Sequence, residues 1–197
     1  MNETEVLAEF EAANAILNGH FILSSGQRSG TYLQCARVLT DTARAERLCR
    51  ALANRVLEQN GGEPFDLVIA PAMGGILVGY EVARHLKCST FFAERVEGAF
   101  TLRRGFEIDP AASRCLMVED VVTTGLSSRE CIAAIKAHGG NVVAGACLVD
   151  RSGGAADIGV PLTSLLSLTV ETYDPEEVPE WLSKLPAVKP GSRGLAR

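Results

Sequence analysis

Residues 115–128, CLMVEDVVTTGLSS, run from apolar residues into two adjacent carboxylates, two threonines, a glycine and two serines. Glu119 and Asp120 suit the paired hydroxyls of a ribose and would repel a phosphate. Thr123, Thr124, Gly125, Leu126 and Ser127 lead directly into a helical pattern, whose first N–H groups lack internal partners and carry the positive end of the helix dipole. A phosphate is well placed there. A bare dipole contributes only about 0.3–2 kcal/mol, so the hydroxyls and several N–H groups must act together. Sugar and phosphate side by side mean a phosphorylated ribose. A purely structural alternative exists, because residues 127–130 (SSRE) also fit a helix capping box and Val121 and Val122 could simply pack.

The elements that must hold this turn can be read from periodicity. Val6, Leu7, Phe10, Ala13 and Leu17 predict a first helix over 3–18, stopped by Asn18 and Gly19. Two strand-like pieces, 21–23 and 31–33, flank a Ser/Gly/Arg turn and predict a hairpin flap. Ala45, Leu48, Leu52 and Val56 predict an amphipathic helix that follows Thr40 and Asp41 and ends at Asn60, Gly61 and Gly62. From there strands (66–71, 89–94, 114–118, 142–149) alternate with helices (76–86, 127–137). That alternation indicates an α/β fold with a parallel sheet covered on both faces. A further strand over 162–170 and a C-terminal helix over 175–185 are expected, with residues 187–197 as a loose tail. In such sheets ligands bind beyond the carboxyl ends of the strands, where the acid pair falls.

The chain has 197 residues, 47% hydrophobic and 22% charged, with a net charge of −5, which fits one globular domain. That charge argues against the broad basic face of a nonspecific nucleic-acid binder. Six cysteines without a C-x-x-C pair predict reduced thiols in a cytoplasmic protein. The acidic N-terminus and the lack of a long apolar run predict neither export nor a membrane span.

VEDVVTTG resembles the phosphoribosyl pyrophosphate (PRPP) signature of the type I phosphoribosyltransferases. The flap GHFILSSGQRSGTYLQ, with ERVEGAFTLRRGF near residue 95 and VDRSGG near 150, extends the likeness over almost the whole chain and is similar to the orotate-using branch. The resemblance implies the fold of that family, with residues 1–40 as an N-terminal hood, 41–185 as the PRPP-binding core and 186–197 as a tail. It implies transfer of phosphoribose from PRPP to N1 of orotate, with orotidine 5′-monophosphate and pyrophosphate as products, Mg2+ bridging PRPP oxygens, possible help from Asp120, and a homodimer that shares its lid between subunits.

Carried onto this sequence, the resemblance assigns Glu119 and Asp120 to the ribose hydroxyls and Thr123 to Ser127 to the 5′-phosphate, with Val121 and Val122 also in the PRPP-binding segment. Breaking the anomeric bond builds positive charge on the ribose and negative charge on the leaving group, so cations must stand opposite the acids. Arg95, Arg103 and Arg104 are the candidates, with Met73 and Gly74 of the PAMGG loop offering backbone N–H groups to pyrophosphate. Glu119, Asp120 and Arg95 are thus the candidate catalytic residues. Thr123, Arg151, Ser25 and Tyr32 are the candidate orotate contacts, Arg151 through a two-pronged pairing with the carboxylate. The alternatives are a surface ion pair from Arg151 to Asp150 or Asp157, packing for Tyr32, a plain helix-start turn for 71–75, and an ordinary hairpin in place of a mobile lid over 94–105. Where better-known members carry lysine, this chain has Ser24 and Gly74, and Ala99 stands in a lid tip without lysine or histidine. A purine acceptor and a PRPP-sensing regulator remain the competing readings. His20, His85 and His138 lack companions at triad or metal spacing.

Overall fold

The computed structural model describes residues 1–23, 26–109 and 114–190. Ser24, Ser25 and the last seven residues lie outside the described residues. A six-stranded sheet forms the core in the order β5-β4-β3-β6-β7-β8, parallel except for β5. Its strands are β3 (Leu67–Pro71), β4 (Ser89–Val96), β5 (Ala99–Leu102), β6 (Arg114–Val122), β7 (Asn141–Asp150) and β8 (Leu162–Ser167). Alternate residues of β6 point to opposite faces, as a period of two requires. Leu116 and Val118 join one core with α1 (Glu3–Ala12), α3 (Thr42–Gln59) and α4 (Gly75–Leu86). Cys115 and Met117 join the other, under α5 (Leu126–Ala137).

Local chemistry explains the helices. Asn2 and Glu5 form a capping box that starts α1. Asp41 accepts from the N–H groups of Ala43 and Arg44 at the start of α3, whose face of Leu48, Leu52 and Val56 is buried. α4 lies close on β3 because Gly79 has no side chain, since a Cβ there would stand 2.7 Å from the Cβ of Ala70.

A second sheet, in the order β10-β1-β2-β9, makes the hood. It is built from β1 (Ile16–Ile22), β2 (Arg28–Leu33), β9 (Thr172–Tyr173) and β10 (Ala187–Val188), with the one-turn helices α2 (Cys35–Val38) and α6 (Glu180–Ser183) alongside. The hood therefore draws strands from both ends of the chain, and β10 falls in the stretch read as a loose tail.

Several predicted boundaries move. The helix expected over 3–18 stops at Ala12 because Asn14 takes a left-handed conformation, φ 48°, and Leu17 then pairs with Tyr32 in the hood. The helix expected over 175–185 is four residues long, because Pro179 is extended at φ −57° and ψ 147° and only four residues follow in helical form. The third core strand runs on to Val122, which puts both acids on the strand itself.

Candidate active site

The core sheet changes winding direction between β3 and β6. From β3 the chain turns through α4 to β4 on one side, and from β6 it turns through α5 to β7 on the other. The two helices lie on opposite faces, so the loops after β3 and β6 part and leave a crevice between them. Glu119 and Asp120 stand at its edge on β6. Residues 71–75 close in from β3 so tightly that a Cβ at Gly74 would be 2.8 Å from both Asp120 carboxylate oxygens. At Gly75 it would be 2.9 Å from the carbonyl of Val118 and 3.2 Å from Oε1 of Glu119. The Ala72–Met73 peptide bond in this loop is cis.

The acid pair is held in a dry place. Glu119 is buried, and its Oε1 accepts from the backbone N–H of Asp120 at 3.2 Å. Oδ1 of Asp120 accepts from the N–H of Val121 at 2.9 Å. Burial pushes the Glu119 carboxyl well above the usual carboxylate range, and the neighbouring Asp120 charge pushes it further. Burial also raises Asp120, against the opposing effect of its hydrogen bonds. Two carboxyls so close to each other retain a proton more readily than either would alone.

Beyond β6 the turn is open to a ligand. Thr123, Thr124 and Ser127 are exposed, and α5 begins at Gly125 with no side-chain cap. Gly125 has φ 74°, where L side chains are strained, and a Cβ would crowd Ile158 at 3.0 Å. The alternative of a capping box over 127–130 does not hold, because the N-cap is Gly125, two residues before Ser127, and the Ser127 and Glu130 side chains both accept from Arg95. The Arg95 guanidinium donates to Oγ of Ser127 at 3.2 Å and to the Glu130 carboxylate, and lies 4.0 Å over the Phe100 ring. Arg95 thus stands on the turn between β6 and α5. The Val122 side chain is in the core, which leaves only its backbone to the site, where its carbonyl accepts from the N–H of Arg151 at 2.8 Å.

The base side is assembled from three distant segments. Tyr32 of β2, Cys35 of α2 and Arg151 after β7 lie close enough to affect one another's titration, and Tyr32 and Cys35 also feel the charge of Asp120. Burial is the main cause in each case: it raises the Tyr32 hydroxyl and the Cys35 thiol and lowers Arg151. Nε of Arg151 is buried without a hydrogen-bond partner. The ion pair to Asp150 or Asp157 is absent among the described residues. Asp150 instead accepts from the N–H of Ser152 and of Gly154, both at 2.8 Å, and shapes the turn beside Arg151. Asp157 accepts from the N–H of Gly159.

The expected lid is a β-hairpin in this structure. Arg95 pairs with Phe100 and Val96 with Ala99 around a turn of Glu97 and Gly98, both with positive φ. Arg104, past β5, donates two hydrogen bonds to Glu94 at 3.0 and 2.7 Å and lies 5.5 Å from the Phe92 ring centre. Arg103 is exposed and has no carboxylate partner among the described residues. Neither arginine is brought to the acid pair within one chain. Met73 is 82% exposed beside Gly74.

Sequence reasoning missed Arg129, which donates to the carbonyls of Thr124 at 3.2 Å and Asp157 at 2.5 Å and so fixes the turn between β6 and α5. It also missed Cys35 beneath the base side. Arg129 follows the turn by one helical step and could have been suspected, whereas nothing local marks Cys35.

The signature of the phosphoribosyl transferase domain matches residues 37–181. Orotate phosphoribosyltransferases from Methylorubrum populi and Maricaulis maris are 54% and 55% identical, each match covering 100% of both chains. Among solved structures, an orotate phosphoribosyltransferase from Aeropyrum pernix superposes with a TM-score of 0.67 at 26% identity, over 83% of this chain and 93% of that one. An adenine phosphoribosyltransferase reaches 0.63 at 14% identity, over 80% of this chain and 99% of that one. The fold is therefore shared across acceptors, and the full-length sequence identity separates them.

Proposed function

This chain belongs to the phosphoribosyl transferase family and within it to the orotate phosphoribosyltransferases, and from that premise we propose how its residues divide the transfer of phosphoribose from PRPP to orotate. The observation that carries the reading is the crevice itself. One edge offers a carboxylate pair with Glu119 buried and Asp120 half-buried, the next an uncapped helix start rich in hydroxyls, and the third a buried guanidinium nitrogen without a partner.

In this reading Thr123, Thr124, Gly125, Leu126 and Ser127 hold the 5′-phosphate, with Arg95 beside them and Arg129 fixing their backbone. Glu119 and Asp120 take the ribose hydroxyls. As the anomeric bond breaks, their charge stabilises the positive ribose, an interaction strengthened by the low local polarity. Residues 71–75 approach the pyrophosphate through backbone N–H groups, for which the missing side chains at Gly74 and Gly75 leave room. Orotate lies between Tyr32 and Arg151, its carboxylate on the guanidinium and its ring edge toward Thr123. The raised Tyr32 hydroxyl keeps its proton at neutral pH and serves as a donor. The Ser25 contact falls outside the described residues.

Mg2+ is part of the proposal. Among the described residues no group of three or more His, Cys, Asp or Glu side chains could enclose a metal. A carboxylate pair facing a phosphate site suits an ion held mostly by substrate oxygens, which is how Mg2+ commonly binds. Asp120 and Glu119 would contribute the protein's oxygens, and the ion would supply charge for the pyrophosphate.

A second copy of the chain completes the reading. Met73, Leu77 and Tyr80 form an exposed apolar stripe on and just before α4, 82%, 61% and 61% exposed. Among the described residues Arg103 is exposed and makes no close ion pair, which suits a lid residue serving a neighbouring subunit. No helix among the described residues is long and apolar enough to cross a membrane. Buried, free cysteines suit a reducing cytoplasm.

The test is an acceptor comparison. Purified protein with PRPP and Mg2+ should consume orotate, followed by its absorbance, and leave adenine, hypoxanthine and uracil untouched. PRPP binding without turnover of any base would favour the sensing role instead.

A further inference from the structure

Tyr32 stands on a sheet that the hairpin β1–β2 cannot stabilise alone, since an isolated two-stranded hairpin is marginal in water. Both outer strands of that sheet come from the far end of the chain. β10 pairs with β1 through His20 with Ala187 and Phe21 with Val188, and β9 pairs with β2 through Arg28 with Tyr173 and Ser29 with Thr172. Buried Ser29 donates its hydroxyl toward the carbonyls of Thr31 and Glu171, both at 3.0 Å. Nδ1 of His20 lies 3.2 Å from the carbonyl of Leu185. Between these strands α6 anchors itself through Leu182, which is fully buried, and lays its tryptophan on β2. A Cβ at Gly30 would be 2.6 Å from Cη2 of Trp181 and 3.4 Å from Cζ3, so the indole fills the space a side chain at position 30 would occupy. Tyr32 is two residues further along that strand, with its ring 5.6 Å from that of Phe21.

We propose that residues 172–188 act as a strap that positions the base-binding hood, with Trp181 as the positioning residue that sets where Tyr32 stands against Arg151. The inference rests on the reading of Tyr32 as an orotate contact. It assigns specificity for the acceptor partly to a segment that touches neither substrate. The phosphate turn, the acid pair and the PAMGG loop belong to the other sheet, so loss of the strap contact should leave PRPP binding alone.

Steady-state kinetics of Trp181→Ala, Trp181→Phe and Tyr32→Ala test it. Trp181→Ala should raise KM for orotate about tenfold while KM for PRPP stays within about twofold, and Trp181→Phe should recover most of the loss. If Trp181→Ala does not fold, Gly30→Ala gives the same readout, because the added methyl displaces the indole without emptying the core. An unchanged KM for orotate in the strap variants, or equal changes in both KM values, would overturn the inference while a raised KM in Tyr32→Ala keeps the base-site reading. An unchanged KM in Tyr32→Ala would remove that reading and the inference with it.

Discussion

Glu119 and Asp120 carry opposing demands at the level of single residues. Burial that strengthens their field on a developing cation also makes their own charge costly, so both carboxyls are raised above their ordinary range. A carboxyl raised on folding contributes stability below its unfolded range and loses it as pH climbs through the raised folded value. Glu119→Gln should therefore raise the melting temperature at neutral pH, by about 2–4 °C for each kcal/mol recovered in a domain of this size, while lowering kcat/KM about 100-fold or more. The two effects are read by thermal denaturation and by the orotate assay. For the wild-type protein, apparent affinity for Mg2+–PRPP should improve as pH rises through the pair's titration, because the ionised form is the one that receives it. The lid arginines should separate as well. Arg104 is occupied by Glu94, and Arg103 is not, so Arg103→Ala should cost about 10–100-fold in kcat/KM and Arg104→Ala markedly less.

Two loops decide the site at the level of elements, and each depends on a glycine. Gly125 turns the chain from β6 into α5 at φ 74°, with Ile158, Arg129 and the Asp157 carbonyl pressed around it. Gly125→Ala should destabilise the protein by about 1–2 kcal/mol and weaken PRPP binding, measurable by denaturant titration and KM. Gly74 stands where the resemblance read in the sequence would place a lysine in some members of the family. Restoring that residue should not help this chain, because the new Cβ would displace the Asp120 carboxylate. Gly74→Lys is expected to lower kcat/KM at least about tenfold, with kinetics of the purified variant as the check.

The exposed stripe of Met73, Leu77 and Tyr80 at the level of the whole molecule adjoins the pyrophosphate loop. A second copy seated there would cover apolar surface and steady that loop in one step. Leu77→Glu together with Tyr80→Glu should shift the protein to a monomer by light scattering and reduce activity. A variant pair of Arg103→Ala and Glu119→Gln, each impaired alone, should regain activity on mixing if the lid serves the neighbouring subunit. No regain on mixing would place each lid with its own site.

The sequence by itself determined the parts whose cause is local. Periodicity marks α3 and the alternating strands, and adjacent acids followed by hydroxyls and a glycine specify a ribose-phosphate turn wherever a strand meets a helix. Only the tertiary structure decided which distant groups share that turn. Arg95 meets Ser127 and Glu130 because the hairpin folds it there. Asp150 shapes its own turn and leaves Nε of Arg151 without a partner among the described residues, and Cys35 comes near Arg151 and Asp120 from a one-turn helix with no periodic signal. The strap shows the same limit most clearly. Two-residue strands carry almost no propensity, and β9 and β10 exist because edges of β1 and β2, about 150 residues earlier in the chain, leave backbone groups to be paired.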